Sequence, residues 1–209
     1  KPEDLKDAIN GMRALGISGI NVTAPHKVEV MKYIDVVTDG AKKLGSVNTV
    51  VNRDGKLYGY NTDADGFCMA LTKAGIEIEN SRILIIGAGG VVRPTLIRLI
   101  DNKPKSITVV NRTKSKVKML AEDILKSTGF EVNTEIDKLE FDIVINTTSA
   151  GMEPQENVMP IDNIEEINDL SFINENTAAV DMIYNPDKTL FLQEAEKRGA
   201  KILNGLGML

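Results

Sequence analysis

Arg82-Ile83-Leu84-Ile85-Ile86-Gly87-Ala88-Gly89-Gly90-Val91-Val92-Arg93 is the stretch that decides the fold. Its first five residues are nearly all aliphatic, the pattern of a strand buried on both faces of a parallel sheet. A glycine-rich turn follows, then an apolar helix over residues 91–100. Gly87 permits the tight turn, and Gly89 lets an anion approach the backbone. Ala88 and Gly90 complete a helix N-terminus whose free N–H groups and partial positive charge suit a pyrophosphate. The third glycine position of the dinucleotide fingerprint is Val92, so the match is imperfect. Pro94 costs little hydrogen bonding so early in a helix. The same residues also read as a tight strand-to-helix turn with no ligand.

Downstream, a second strand over residues 106–110 ends in Asn111-Arg112-Thr113, with Lys116 one helical turn on. Asn111 follows Gly87 by 24 residues. An NAD site carries a carboxylate near there for the ribose 2′-hydroxyl. Here Arg112 can grip a 2′-phosphate with two N–H groups, Thr113 adds a hydroxyl and Lys116 adds charge, which predicts NADP over NAD. The rival reading is a solvated basic helix start, a placement the helix dipole disfavours. The rhythm continues with a helix over 115–126, strands over 141–145 and 178–182, a helix over 189–198 and a strand over 201–203. Residues 153–175 read as a polar loop holding one helix. Alternating strands and helices with short links predict an α/β doubly wound parallel sheet of the Rossmann type. Thr148, in Asn146-Thr147-Thr148-Ser149-Ala150-Gly151, lies beyond a strand's carboxyl end, where such sheets bind ligands. Strand–loop junctions are also rich in small polar residues without any ligand.

Upstream, Leu5, Ala8, Ile9, Met12 and Leu15 recur at helical spacing over residues 2–15, and Gly16 ends the pattern. A strand over 17–22, helices over 26–33 and 40–44, and strands over 47–52 and 56–60 around Arg53-Asp54-Gly55 follow. A helix over 65–73 ends at Gly75. The composition shift over 61–75 places a boundary there: a smaller, partial α/β domain over 1–62 that would carry substrate and catalysis, and a nucleotide-binding domain over 63–209. Three strand-end segments, Asn21-Val22-Thr23-Ala24-Pro25-His26-Lys27, Gly45-Ser46-Val47-Asn48-Thr49 and Gly59-Tyr60-Asn61-Thr62-Asp63, present amide, hydroxyl and charged groups suited to a polyhydroxylated ligand. Taken singly, each is also an ordinary cap or turn.

Composition narrows the function. The 209 residues carry 25 Lys and Arg against 30 Asp and Glu, a net charge of −5 that argues against nucleic acid as a partner. One cysteine, Cys68, and one histidine, His26, exclude an internal disulfide and cysteine-built metal sites, so no metal is expected. A single cysteine suits a reducing compartment, here the cytoplasm. No apolar run approaches a membrane span. The opening Lys1-Pro2-Glu3 is neither a secretory signal nor an initiator methionine, so a processed or cut chain is expected.

Taken together, Asn-Val-Thr-x-Pro-His-Lys, Gly-Ser-Val-Asn-Thr, Gly-x-Asn-Thr-Asp, Gly-Ala-Gly-Gly-x-x-Arg and Asn-Arg-Thr resemble the shikimate dehydrogenase family. Asn146 to Met152, Asp181-Met182-Ile183-Tyr184-Asn185-Pro186 and Gly205-Leu206-Gly207-Met208-Leu209 extend the resemblance, which runs in order from about Ile17 to Leu209. It implies reversible NADP-linked oxidation of shikimate to 3-dehydroshikimate, a step of aromatic amino-acid biosynthesis. By the same resemblance, Lys27 and Asp63 are the catalytic pair, and Asn21, Thr23, Asn48 and Tyr184 are substrate-side positions. Gly87, Gly89, Gly90, Asn111, Arg112, Thr113, Thr148, Met182, Gly205 and Met208 are cofactor-side, and Ala88 and Lys116 join them from the reading above.

The implied chemistry needs a base within reach of the alcohol as hydride leaves its carbon. Lys27 serves only as the neutral amine, which burial favours and a nearby carboxylate opposes. Asp63 is therefore expected to orient the alcohol and Lys27, and His26 to be structural. If the 209 residues are the whole molecule, the family's opening strand–helix unit, with its Ser-x-Ser pair for the substrate carboxylate, and its closing helix are expected to be missing. NADP binding is thus expected to be more robust than turnover. An exposed sheet edge is expected to favour self-association, as in a homodimer. The rivals are a quinate/shikimate dehydrogenase of relaxed specificity and a non-catalytic relative that binds NADP or a metabolite.

Overall fold

The structure is a computed structural model that describes residues 1–167 and 169–209. Among these, the chain divides into two compact units, Lys1–Asp65 and Gly66–Leu209.

The first unit opens with a short 3₁₀ turn and helix α1 (Leu5–Ala14), which buries Leu5, Ile9 and Met12 at i, i+4 and i+7. Ala8 and Leu15 are exposed, so the apolar stripe is narrower than its sequence suggests; Leu15 lies beyond the last turn. Strand β1 (Gly19–Asn21) follows, then β2 (Val36–Val37), α2 (Asp39–Leu44), β3 (Thr49–Arg53) and β4 (Lys56–Tyr60). The strands order as β1-β3-β4-β2, antiparallel except for the parallel pair β2/β4. Asp54 and Gly55 both have positive φ, 51° and 82°, which matches the right-handed twist of a two-residue hairpin. The helix expected over 26–33 is only a 3₁₀ turn, Glu29–Lys32. Val22, Val30, Val47, Val50 and Leu57 join the α1 residues in one core. Each such aliphatic side chain contributes about 1.5–3 kcal/mol when fully buried. Arg13 clamps this unit by donating to Asp35 at 2.6 Å and to the Gly55 carbonyl at 2.9 Å.

Helix α3 (Asp63–Lys73) leads into the second unit. There β5 (Arg82–Ile86), α4 (Val92–Asp101), β6 (Ser106–Val110), α5 (Lys114–Thr128), β7 (Ile143–Asn146), β8 (Ala178–Asp181), α6 (Leu190–Lys197) and β9 (Lys201–Leu203) alternate as expected. The five strands are all parallel, in the order β6-β5-β7-β8-β9. A parallel bridge from Thr108 to Asn133 adds one more chain segment outside β6. The spatial order thus becomes third-second-first-fourth-fifth-sixth, that of a dinucleotide-binding sheet, with its switch point between β5 and β7.

Residues 153–175 contain no helix among the described residues, contrary to expectation. They form tight turns instead, closed by Ile164 N–H to Ile161 O, Ile167 N–H to Ile164 O and Ile173 N–H to Leu170 O. Ile161, Ile164, Ile167, Leu170 and Ile173 are buried in the core with Phe172. An apolar residue at every third position fits repeated three-residue turns, a period that neither a helix nor a strand pattern detects.

Candidate active site and cofactor pocket

Three of the segments singled out above meet within the first unit. Lys27 follows the 23–26 turn, in which His26 N–H donates to Thr23 O, and its carbonyl accepts from Val47 N–H. Asp63 is the first residue of α3. Lys27 Nζ stands 2.6 Å from Asp63 Oδ2, and both side chains are partly buried. Asn48 Nδ2 donates to the other carboxylate oxygen at 2.7 Å. Asn48 is itself buried and gripped by Thr62, whose N–H donates to Asn48 Oδ1 at 3.0 Å. Asn61 ties this arrangement to the next turn, donating to Ser46 Oγ at 2.8 Å and accepting from Asp63 N–H. The amine, the carboxylate and the amide are thus held in one hydrogen-bonded cluster, with Lys27 as its cation.

Thr23 and Asn21 stand exposed, Asn21 at the end of β1, and the cluster's hydrogen bonds run to neither side chain. Thr62, Asn61 and Ser46 join the cluster although the sequence does not single them out individually. Their signal is present, since all three lie inside the strand-end segments, but only the pairing of β3 with β4 shows which of those residues face one another.

In the second unit the turn after β5 begins at Gly87, with φ of 119°. A side chain there would run into the Thr147 hydroxyl and Thr148. Gly87 N–H donates to Val110 O at 2.8 Å, and Thr147 Oγ1 donates to Ile86 O at 2.8 Å. The loops after β5, β6 and β7 are thereby bound together at the switch point. Ala88 is half-buried, and Gly89 and Gly90 are exposed with open space where a Cβ would stand.

Beside this turn, Asn111, Arg112, Thr113, Lys116 and Thr148 line a pocket of about 300 Å³. The opposite wall runs from Gln155 to Ile164, inside the segment read from sequence as loop. Among the described residues neither Arg112 nor Lys116 is paired with a carboxylate. Asp162 lies in the wall, and its carboxylate accepts from Met159 N–H at 3.0 Å. Two unpaired cations, a hydroxyl, open glycine backbone and no carboxylate at the end of β6 form a donor set that fits a phosphorylated dinucleotide.

Met182, Gly205 and Met208 form a separate group. Gly205 packs so closely on the Met182 carbonyl that no side chain fits, and the Gly205–Met208 turn lies against Gly66. Tyr184 is exposed, outside both groups. Asp181 is fully buried, and burial pushes its carboxyl above the ordinary range, against the hydrogen bonds that it accepts from Thr189, Ile183 and Asn146.

Two family models match the chain. Residues 1–50 match the family model of the shikimate dehydrogenase substrate binding domain, and residues 69–185 match that of shikimate / quinate 5-dehydrogenase. The NADP(+) shikimate dehydrogenase of Geobacillus sp. (strain WCH70) is 46% identical, over 100% of this chain and 74% of its own length. A shikimate dehydrogenase crystallised with NADP+ superposes with a TM-score of 0.89 at 40% identity, covering 100% of this chain and 72% of that one. The Thermus thermophilus enzyme, in complex with NADP(H) and shikimate, gives 0.84 at 32% identity, covering 100% and 74%.

Proposed function

The chain belongs to the shikimate dehydrogenase family, and we propose that it catalyses reversible hydride transfer between shikimate and NADP+, a step of aromatic amino-acid biosynthesis. The observation that carries this reading is the 2.6 Å contact between Lys27 and Asp63, with Asn48 on the second carboxylate oxygen. The family resemblance assigns catalysis to that pair, and an alcohol oxidation needs such a pair: one group to take the hydroxyl proton and one to orient it.

In the oxidation Lys27, freed of its own proton to solvent as cofactor binding desolvates it, takes the hydroxyl proton as the neutral amine, and in the reverse direction the ammonium returns that proton to the forming alkoxide. Asp63 orients the amine and the substrate hydroxyl. Asn48 holds the carboxylate in place and offers its amide to the substrate, with Thr23, Asn21 and Tyr184 as further substrate contacts. Arg112, Lys116 and Thr113 would hold the 2′-phosphate. The backbone from Gly87 to Gly90 would hold the pyrophosphate. Asn111, Thr148, Met182, Gly205 and Met208 complete the cofactor side. Bound there, NADP+ supplies the hydride acceptor. The single, buried Cys68 supports a cytoplasmic setting. The outer edge of β1, a sheet-edge strand, supports self-association as a homodimer.

The direct test is absorbance of the reduced nicotinamide with shikimate and NADP+, against controls with quinate, with NAD+ and without substrate. Reduction with shikimate and NADP+ well above the other pairs is the expected result. Equal rates with quinate would replace it by the relaxed-specificity reading. Cofactor binding without any reduction would leave a non-catalytic relative.

A further inference from the structure

Asp181 is a carboxylate with no exposed surface, at the carboxyl end of β8, and among the described residues it has no cationic partner. Burying such a group is costly, and an uncharged residue would spare the chain that cost. Its surroundings show what the charge does. Asn146 Nδ2 donates to both carboxylate oxygens, at 3.1 and 3.2 Å. Ile183 N–H donates to Oδ1 at 2.9 Å and Thr189 Oγ1 to Oδ2 at 2.7 Å.

Asn146, equally buried, passes this order on. A side-chain amide can sit either way round, but an acceptor-only carboxylate forces its NH₂ to one side and its oxygen to the other. The oxygen then accepts Thr148 N–H at 2.9 Å and Thr148 Oγ1–H at 2.7 Å. The NH₂ also reaches Ala150 O at 3.2 Å. Thr148 lines the pocket that holds Arg112, Thr113 and Lys116. With its proton engaged by Asn146, the Thr148 hydroxyl is left as an acceptor, and Ala150 N–H uses one lone pair at 3.1 Å.

We propose that Asp181 is a positioning residue for cofactor binding: it fixes the Asn146 amide, and through it the Thr148 turn, without touching a ligand itself. This rests on the reading of that pocket as the NADP site. Thr189 offers an internal comparison. It ties the same carboxylate to the start of α6, where its oxygen accepts from Leu192 N–H at 3.4 Å, but its hydrogen bonds do not lead to the pocket.

The test is NADPH fluorescence titration of the purified full chain, with the KM for shikimate measured alongside. Asp181→Asn places an NH₂ against that of Asn146 and is expected to weaken NADPH binding about 10-fold, with the shikimate KM within about twofold. In Asp181→Asn/Asn146→Asp the donor and acceptor exchange places. The introduced carboxylate still accepts both Thr148 bonds but sets an acceptor against the Ala150 carbonyl, so affinity is expected to rise above that of Asp181→Asn without reaching the original. Thr189→Val is expected to lower stability and leave NADPH affinity unchanged.

Unaltered NADPH affinity in Asp181→Asn overturns the proposal. So does equal weakening of cofactor and shikimate, a double variant that restores nothing, or a Thr189→Val loss as large as that of Asp181→Asn. If Asp181→Asn does not fold, the double variant decides: recovered binding supports the relay, and absent binding refutes it. A wild-type chain that binds NADPH but oxidises no shikimate refutes the proposed reaction alone, because the relay is read in binding. One that binds no NADPH refutes both.

Discussion

Residues 1–65 build their polar cluster from side chains: Lys27 after a turn, Asn48 beside β3, Thr62 and Asp63 at the start of α3, joined by bonds of 2.6–3.0 Å. Residues 66–209 build theirs largely from backbone: a glycine turn, three strand ends and helix starts, with charged side chains added at the rim. The two are therefore vulnerable to different changes. A side-chain cluster loses its chemistry when one functional group is removed, and its fold is little disturbed. In a backbone cradle the side chains at the rim set which cofactor is preferred, and the cradle itself is broken by adding a single methyl group where the chain must pass closely.

The sharpest way to break this contrast is Lys27→Met. Turnover is expected to fall about 10³-fold, as loss of a general acid–base group does. NADPH affinity should stay within about twofold, and a matching loss of cofactor binding would erase the distinction. Next in size, Arg112→Gln removes a charged fork from the cofactor pocket. The preference for NADP+ over NAD+, as a ratio of kcat/KM, is expected to drop about 100-fold with the shikimate KM unchanged.

Gly87→Ala tests the backbone cradle itself. The residue has φ of 119° and a side chain there meets Thr147 and Thr148. Urea unfolding should show a loss of about 1–3 kcal/mol, with NADPH binding weakened in the folded fraction. Stability unchanged from wild type would show that the turn relaxes freely.

The smallest effect concerns pH. Arg82 and the backbone hold Asp142 ionised, below the ordinary carboxylate range. Its contribution to stability is therefore present above that range and lost as pH falls through the folded-state value. Asp181, raised by burial, runs the other way: its contribution is present below the ordinary range and lost as pH rises through the folded-state value. Thermal melts of Asp142→Asn should lose the acid-side decline by roughly 0–1 kcal/mol, since the pair is partly exposed. Melts of Asp181→Asn should lose the decline on the rising side.

How much of this is legible in the chain differs by region for a physical reason. Strands β5 and β6 coincide residue for residue with the sequence reading. A strand buried on both faces is an unbroken apolar run, and the turn residues that end it are local signals. Arg112 and Lys116 are legible because the absence of a carboxylate at a known spacing is also local. The 26–33 segment lacks such signals and closes into one 3₁₀ turn. Val36 and Val37 make a strand too short to recognise, and its parallel pairing with Tyr58 and Gly59 is a long-range contact. The buried isoleucines of 161–173 escape because three-residue turns have no standard hydrophobic period.

From residue order alone come the parallel nucleotide-binding sheet, the preference for a 2′-phosphate and, by resemblance, the identity of Lys27 and Asp63. These rest on short-range patterns: apolar runs, glycines at turns, charges at a fixed distance. Tertiary structure alone decides that Asn48 grips Asp63, that Gln155 to Ile164 walls the cofactor pocket, and that a buried carboxylate at Asp181 stands behind Thr148. The bonds of Asn48 to Asp63 and of Asn146 to Asp181 join residues 15 and 35 positions apart, and only the register of paired strands brings such donors and acceptors within bonding distance.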